Sequence, residues 1–284
     1  MTEFRCHFIL NLILHANVTP QQEASMTPTV QIRNLTLCEG RPKICIPLTD
    51  TEKTALRQAA KHLTLPENHC DLAEWRADFF THLLAPEKDA GAEGLYATLS
   101  CIHDTLRDIP LLFTVRTDAE GGAVHISTED YVAANFHAIE SGAVDLVDVE
   151  LSRGDEAVTA IVTAAHKADV AVVGSSHDFA KTPPKEEIVH YLCRMQELGC
   201  DIAKFAVMPQ CERDVLTLLD ATLTMKEEHT KTPVITMSMG KTGALSRVAG
   251  SLCGSCLTFG TAGKASAPGQ LPADVLCEFL EVLK

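Results

Sequence analysis

The sequence predicts an α/β fold with a parallel sheet. Short apolar runs recur eight times, longer amphipathic stretches fall between them, and 284 residues suit a single closed barrel. In order, the run 43–48 passes into Thr49-Asp50-Thr51-Glu52 and an amphipathic stretch at 52–65. Runs at 71–76, 111–116 and 145–150 follow, with an amphipathic stretch at 129–141 between the last two. After the run 170–174, Pro184 with Lys185-Glu186-Glu187 marks a helix start, because proline lacks an N–H that the first turn would leave unpaired and acidic side chains suit that end. The stretch covers 186–198, and Gly199 marks its stop. Run 201–207 leads to 213–228, run 234–238 to 245–252, and run 256–260 to a last stretch at 273–283. Eight strand-helix units close into a (β/α)8 barrel, a single domain. An open doubly wound sheet is the runner-up. It would want G-x-G-x-x-G after its first strand, where none stands, and no P-loop occurs either.

Hydrophobic residues at 46% with 22% charged allow a large core, and Pro and Gly are spread too thinly to mark a linker. The formal net charge of −14 argues against a nucleic-acid partner, since phosphate would be repelled and no Lys/Arg cluster compensates. Small anionic substrates remain open through local arginines. Eleven cysteines and twelve histidines invite a metal or disulfide reading, yet the cysteine count is odd and only Cys253-x-x-Cys256 has a pair spacing. Reduced cysteine acting as a small hydrophobe is favoured, which implies a reducing compartment, no metal and a cytoplasmic location. Residues 1–29 read as an extension outside the fold and 30–284 as the barrel. The apolar 8–14 stretch is too short to span a bilayer and lacks a cleavage pattern, so no membrane role is expected.

Lys204 stands inside the apolar run Ile202-Ala203-Lys204-Phe205-Ala206-Val207. Burying an ammonium is costly unless it is paired or gives up its proton, and a neutral amine is a nucleophile that forms Schiff bases with ketones. The competing reading is a lysine that snorkels or sits in a structural ion pair. In a barrel the site lies at the carboxyl ends of the strands. There the runs end in Glu74 and Arg76, in Arg116, and in Asp148 and Glu150, while His177 follows the fifth run in Ser175-Ser176-His177-Asp178. Met237 and Met239 bracket the seventh run, Arg247 lies a little further on, and Ser266 and Gln270 fall in a small-residue loop, 261–270, with the composition of a lid. Each has a duller reading: Glu74 and Arg76 as partners of each other or of a neighbour, His177 as a loop residue, the methionines as core filler, Arg116 and Arg247 as surface pairs, Ser266 and Gln270 as loop or cap residues. Their convergence on one rim suits proton removal beside a ketone in an anionic substrate.

These residues resemble the type I 3-dehydroquinate dehydratases. The resemblance is carried by Ile235-Thr236-Met237-Ser238-Met239-Gly240-Lys241-Thr242-Gly243-Ala244-Leu245-Ser246-Arg247, by Thr258-Phe259-Gly260, and by Lys264-Ala265-Ser266-Ala267-Pro268-Gly269-Gln270. Pro42-Lys43-Ile44, Glu74-Trp75-Arg76, Phe113-Thr114-Val115-Arg116-Thr117 with Glu120-Gly121-Gly122, Asp148-Val149-Glu150, Ser176-His177-Asp178-Phe179 and Lys204-Phe205-Ala206 add to it in order. The resemblance implies a cofactor-free dehydration of 3-dehydroquinate to 3-dehydroshikimate in the shikimate pathway of aromatic amino acid biosynthesis. Lys204 would form the imine. His177 would act as general acid and base, oriented or charge-balanced by Glu120, and Arg247 would hold the substrate carboxylate. Glu74, Arg76, Arg116, Ser266 and Gln270 would bind ring hydroxyls and carboxylate, with Asp148, Glu150, Met237 and Met239 as secondary candidates. A homodimer is implied as well. One departure is Pro47, where many members carry a substrate-binding serine; Thr49 is the residue that would substitute.

Two alternatives remain beside it. One is another imine-forming barrel, such as an aldolase acting on a phosphorylated sugar, against which stands the lack of a glycine-rich phosphate loop near the end of the chain. The other is a catalytically silent ligand-binding or cysteine-rich metal-binding module, which leaves Lys204 and His177 with their flanking motifs unexplained.

Overall fold

The computed structural model describes residues 27–80, 84, 90–263 and 265–283. A hairpin of β1 (Val30–Ile32) and β2 (Leu35–Leu37) precedes the barrel strands. These are β3 (Lys43–Leu48), β4 (Leu72–Arg76), β5 (Leu111–Thr114), β6 (Leu146–Glu150), β7 (Ala171–Asp178), β8 (Ile202–Val207), β9 (Val234–Ser238) and β10 (Leu257–Thr261). A two-residue strand, β11 (Leu271–Pro272), pairs in parallel with the end of β10. The helices are α1 (Lys53–Leu63), α2 (Ala90–Leu106), α3 (Thr128–Glu140), α4 (Asp155–Lys167), α5 (Lys185–Glu197), α6 (Glu212–Glu228), α7 (Gly250–Cys253) and α8 (Ala273–Val282).

Strands β3 to β9 pair in parallel with their neighbours in chain order, and β10 returns to pair with β3. Closure between β9 and β10 runs through the parallel bridge of Val234 with Ser255, where Cys256 N donates to Val234 O at 2.9 Å. The fold is the single-domain (β/α)8 barrel that the strand count predicts.

Two apolar layers follow from the period-two alternation of strand side chains. Outward-facing residues such as Ile44, Ile46, Ala73, Val147, Val149 and Ala203 meet the helices in one large core. Inward-facing Cys45, Leu72, Leu112, Leu146, Val173, Ile202, Ile235 and Leu257 fill the amino-terminal end of the barrel, where Ile32 and Leu37 of the hairpin pack beneath them.

The strand entries share a device. Asp71, Asp145 and Asp201 stand just before β4, β6 and β8, and each Oδ2 accepts a backbone N–H from the preceding strand: Ile44 at 2.7 Å, Leu111 at 2.8 Å and Val172 at 2.7 Å. Each aspartate has a cationic or imidazole partner, respectively Arg41, Arg33 and His166. Before β10 a serine replaces the aspartate, and Ser255 Oγ accepts from Thr236 N at 3.1 Å.

The structure differs from the sequence expectation at several elements. Strand β7 continues through Asp178, because Ser176 to Asp178 extend the register against Phe205 to Val207, so His177 lies within a strand instead of after it. The amphipathic stretch at 245–252 is not one helix. A 3-10 helix, Thr242–Arg247, and the short α7 replace it, set by a sharp exit from β9: a side chain at Gly243 would lie 2.2 Å from Ser238 O. Helices α2 and α4 and the hairpin have no counterpart among the stretches expected from the sequence, and the first strand of the described residues begins at Val30. The extension expected at 1–29 lies outside the described residues apart from 27–29. Among the described residues no helix is long and apolar enough to cross a membrane.

Candidate active site

The alternation that packs the floor dictates what stands above it. On the inward face Leu72 is followed by Glu74 and Arg76, and Leu112 by Thr114 and, just past β5, Arg116. Leu146 is followed by Asp148 and Glu150, Val173 by Ser175 and His177, and Ile202 by Lys204. A ring of polar side chains therefore rests on a ring of apolar ones. It opens into a cavity of about 140 Å³ at the carboxyl ends of the strands, lined by Glu74, Arg76, Arg116, Glu120, His177, Lys204, Met237, Met239, Arg247, Phe259, Ser266 and Gln270. Asp148 and Glu150 stand behind that wall, fully buried.

Lys204 is 3% exposed, and its Nζ lies 3.2 Å from Asp148 Oδ2 and 4.6 Å from the centroid of the Phe259 ring. The buried amine thus lies against a carboxylate and an aromatic face. Asp148 Oδ1 accepts from Ser175 Oγ at 2.6 Å and meets Arg116 Nη2 at 2.7 Å. Burial alone would raise the Asp148 carboxyl, but Arg116 and then Lys204 overcome it and hold it at about 2.

Arg116 is the hub. Its Nη1 reaches Glu150 Oε1 and Ser175 Oγ, both at 3.0 Å, and Glu120 Oε2 at 3.6 Å. Glu150 also accepts from Thr117 N and Thr117 Oγ1. The guanidinium expected to bind substrate thus spends much of its donor set on carboxylates. Glu120, on a 3-10 turn (Asp118–Glu120), accepts from Ser152 Oγ at 2.6 Å and lies 2.9 Å from His177 Nδ1. Burial lifts the Glu120 carboxyl to about 7 against the pull of Arg116. Burial, with the charges of Arg116, Lys204 and Arg76, holds His177 well below the ordinary imidazole value. A neutral imidazole whose Nδ1 is engaged by Glu120 leaves Nε2 free to accept a proton.

Glu74 and Arg76 do not pair with each other. Glu74 Oε1 accepts from Thr114 Oγ1 at 2.9 Å, while Arg76 makes a two-point contact with Asp78 at 2.7 and 2.8 Å. Arg247 differs from the other buried arginines. Its Nη1 and Nη2 donate to the carbonyls of Phe259 and Pro268 at 3.3 and 3.0 Å, its Nε has no hydrogen-bond partner, and among the described residues it forms no ion pair. Burial lowers it to about 10, so it still carries its charge at neutral pH. A buried guanidinium without a carboxylate, facing a cavity, can receive an anion. The lid over it is pinned: Pro268 O also accepts from Gly240 N at 3.1 Å, and Gln270 holds Ser266 through two hydrogen bonds.

All nine primary residues predicted from the sequence line the one cavity. Pro47 and Thr49 instead line a separate cavity of about 350 Å³ beside α1. Sequence reading gave no role to Asp78, Ser152, Ser175 or Phe259. Ser175 and Phe259 share the inward parity of residues that were chosen and were legible on that ground. Asp78 and Ser152 lie on turns after β4 and β6, where no periodicity points inward.

Fold and site together define a (β/α)8-barrel enzyme with a buried lysine on its cavity wall. The family model for type I 3-dehydroquinase matches residues 44–284. A 3-dehydroquinate dehydratase of Bacillus licheniformis is 46% identical over 258 residues, covering 91% of this chain and 98% of its own, and one from Clostridioides difficile is 48% identical over 259 residues with the same coverage. The solved type I enzyme from Clostridium difficile, described with covalent modified comenic acid, has a TM-score of 0.84 at 46% identity and covers 91% of this chain and 98% of its own. The 3-dehydroquinate dehydratase structure from Geobacillus kaustophilus also has a TM-score of 0.84, at 34% identity, covering 91% and 97%. The chain belongs to the type I 3-dehydroquinase family, and it is an enzyme of the hydro-lyase class.

Proposed function

We propose that the chain dehydrates 3-dehydroquinate to 3-dehydroshikimate through an imine on Lys204, with His177 as general acid and base. The observation that carries this reading is the placement of Lys204 and a neutral His177 on one cavity wall. Lys204, once its proton has passed to a base, attacks the substrate ketone, and loss of water gives a protonated imine. Ammonium and iminium carry the same charge, so Asp148 at 3.2 Å and the Phe259 face favour both. The iminium draws electrons from the adjacent C–H bond, and His177 Nε2 removes that proton. The resulting enamine expels the β-hydroxyl, which His177 protonates as it leaves, and hydrolysis of the imine frees the product.

Arg247 holds the substrate carboxylate. Glu74, Arg76, Ser266 and Gln270 meet the hydroxyls and complete the cavity, and Arg116 contributes the positive field that balances Asp148 and Glu150. The covalent modified comenic acid in the C. difficile neighbour accords with covalent chemistry at this site. The same reading takes residues 30–284 as the catalytic unit, a small anion as the substrate and a cytoplasmic homodimer as the working form. The test is borohydride reduction of the protein with 3-dehydroquinate, read by intact mass. A stable adduct on the native chain that vanishes in Lys204→Ala supports the imine, and no adduct on folded native protein sinks it.

A further inference from the structure

The cysteines are the one strong sequence feature that this chemistry does not use. Two of them meet at the floor of the barrel, at the end away from the site. Cys38 directly follows β2 and is held in the left-handed region at φ 62°, half-buried, against the floor cluster that contains Cys256. Cys256 directly precedes β10 and is 5% exposed. The chain between them is tied down, since Lys43 N donates to Cys256 O and Lys43 Nζ donates to Glu39 O, both at 2.9 Å. Each thiol perturbs the other, the Cys256 side chain lowering Cys38 and Cys38 raising Cys256. No sequence spacing connects them; the spacing points instead to Cys253, which sits on α7.

We propose that Cys38 and Cys256 form a redox pair that closes to a disulfide on exposure to a peroxide, stapling the hairpin to the barrel floor. Cys38 is the half-exposed member and so meets the oxidant first, while buried Cys256 is placed to resolve it. The neighbouring Cys256 side chain holds the Cys38 thiol below the ordinary thiol value, and Cys38 together with burial pushes Cys256 well above it. In the first step the Cys38 thiolate attacks the peroxide O–O bond, expelling hydroxide and becoming a sulfenic acid. In the second, the Cys256 sulfur gives up its proton and displaces the sulfenic hydroxyl, which leaves as water. The peroxide gains two electrons, and each sulfur loses one. A bond between positions 38 and 256 encloses nearly the whole barrel, the arrangement in which a crosslink restricts the unfolded chain most.

The experiment treats the full chain with hydrogen peroxide, blocks remaining thiols with a maleimide, and maps peptides without reduction. The expected result is a Cys38–Cys256 linked peptide that appears ahead of any other crosslink. Melting temperature should rise by several degrees, turnover of 3-dehydroquinate should stay unchanged, and dithiothreitol should reverse the shift. Cys38→Ser, and separately Cys256→Ser, should abolish the linked peptide, and Cys38→Ser should melt at the same temperature with or without peroxide. Maleimide-labelled or over-oxidised Cys38 with no linked peptide overturns the proposal. So does a crosslink from Cys38 to any other cysteine or between two molecules.

Discussion

His177 Nδ1 and Glu120 Oε2 stand 2.9 Å apart on the cavity wall, both almost fully withdrawn from solvent, and Arg116 lies 3.6 Å from the same carboxylate oxygen. Burial pushes the carboxyl up and the imidazole down, so the two behave as one site that binds a single proton near pH 7. The general base is the form without that proton. Activity should therefore fall as pH drops below about 7. In Glu120→Gln the imidazole loses its carboxylate and keeps the surrounding cations, so the acid limb of kcat/KM should move to lower pH. A limb that stays in place shows that another group sets it.

Removal of the imidazole tests a different step. His177→Ala should lower kcat by roughly 10²–10⁴-fold, the range for losing a general acid–base catalyst. The borohydride adduct should still form, because the imine nitrogen belongs to Lys204. Loss of the adduct together with turnover would place His177 in imine formation as well.

Asp148 is expected to matter to the fold as much as to the reaction. Asp148→Asn leaves Lys204 and Arg116 buried with less counter-charge, which should destabilise the chain by roughly 3–5 kcal/mol in urea unfolding. The sign of its pH dependence follows from a folded value of about 2. That value lies below about 3.9 in the unfolded chain, so the carboxylate contributes roughly 2–3 kcal/mol that is fully present above about pH 4 and is lost as pH falls toward 2. The variant should lack that acid-side decline, and an unchanged decline would refute the assignment.

Arg247→Ala should raise KM by roughly 10- to 150-fold, equivalent to about 1.5–3 kcal/mol for a hydrogen-bonded charge. Arg247→Lys should recover little, because an ammonium cannot reproduce a two-point contact with a carboxylate. Equal kinetics for lysine and arginine at this position would mean that charge alone suffices.

The lid makes a separate prediction. Gly269 has φ +75°, and a Cβ there would lie 2.2 Å from Gly240 O. Gly269→Ala should displace the segment carrying Ser266 and Gln270 and change kcat and KM together, with a melting temperature close to native. A variant with native kinetics would show that the lid tolerates the shift.

Strand order was legible because Lys43–Leu48 through Leu257–Thr261 are apolar runs of the right length, and their parity placed Glu74, Asp148 and Lys204 on one surface. Helix α4 was not, since its start at Asp155 follows Gly154 with no side-chain cap and its apolar face is largely alanine and valine. The partner of Lys204 was equally hidden. Asp148 lies 56 positions away, and only barrel curvature brings the two together. For Arg76 the structural alternative to substrate binding was a pairing with Glu74 or with a neighbour, and the neighbour is Asp78 on the following turn, which offers a two-point contact that no strand periodicity points to.

The strand-entry clamps have a consequence for how the barrel comes apart. Asp71, Asp145, Asp201 and Ser255 join β3 to β4, β5 to β6, β7 to β8 and β9 to β10. Among the described residues no such side-chain clamp spans the floor end between β4 and β5, β6 and β7, or β8 and β9. At the floor end the eight-fold ring is therefore tied as four doublets, with unclamped seams between them. Slow amide exchange should persist within doublets at denaturant concentrations that already open the seams, so that partly unfolded forms lose strands two at a time. Lys204 and Asp148 belong to different doublets, so the first seam to part on that side of the barrel also dismantles the reactive centre.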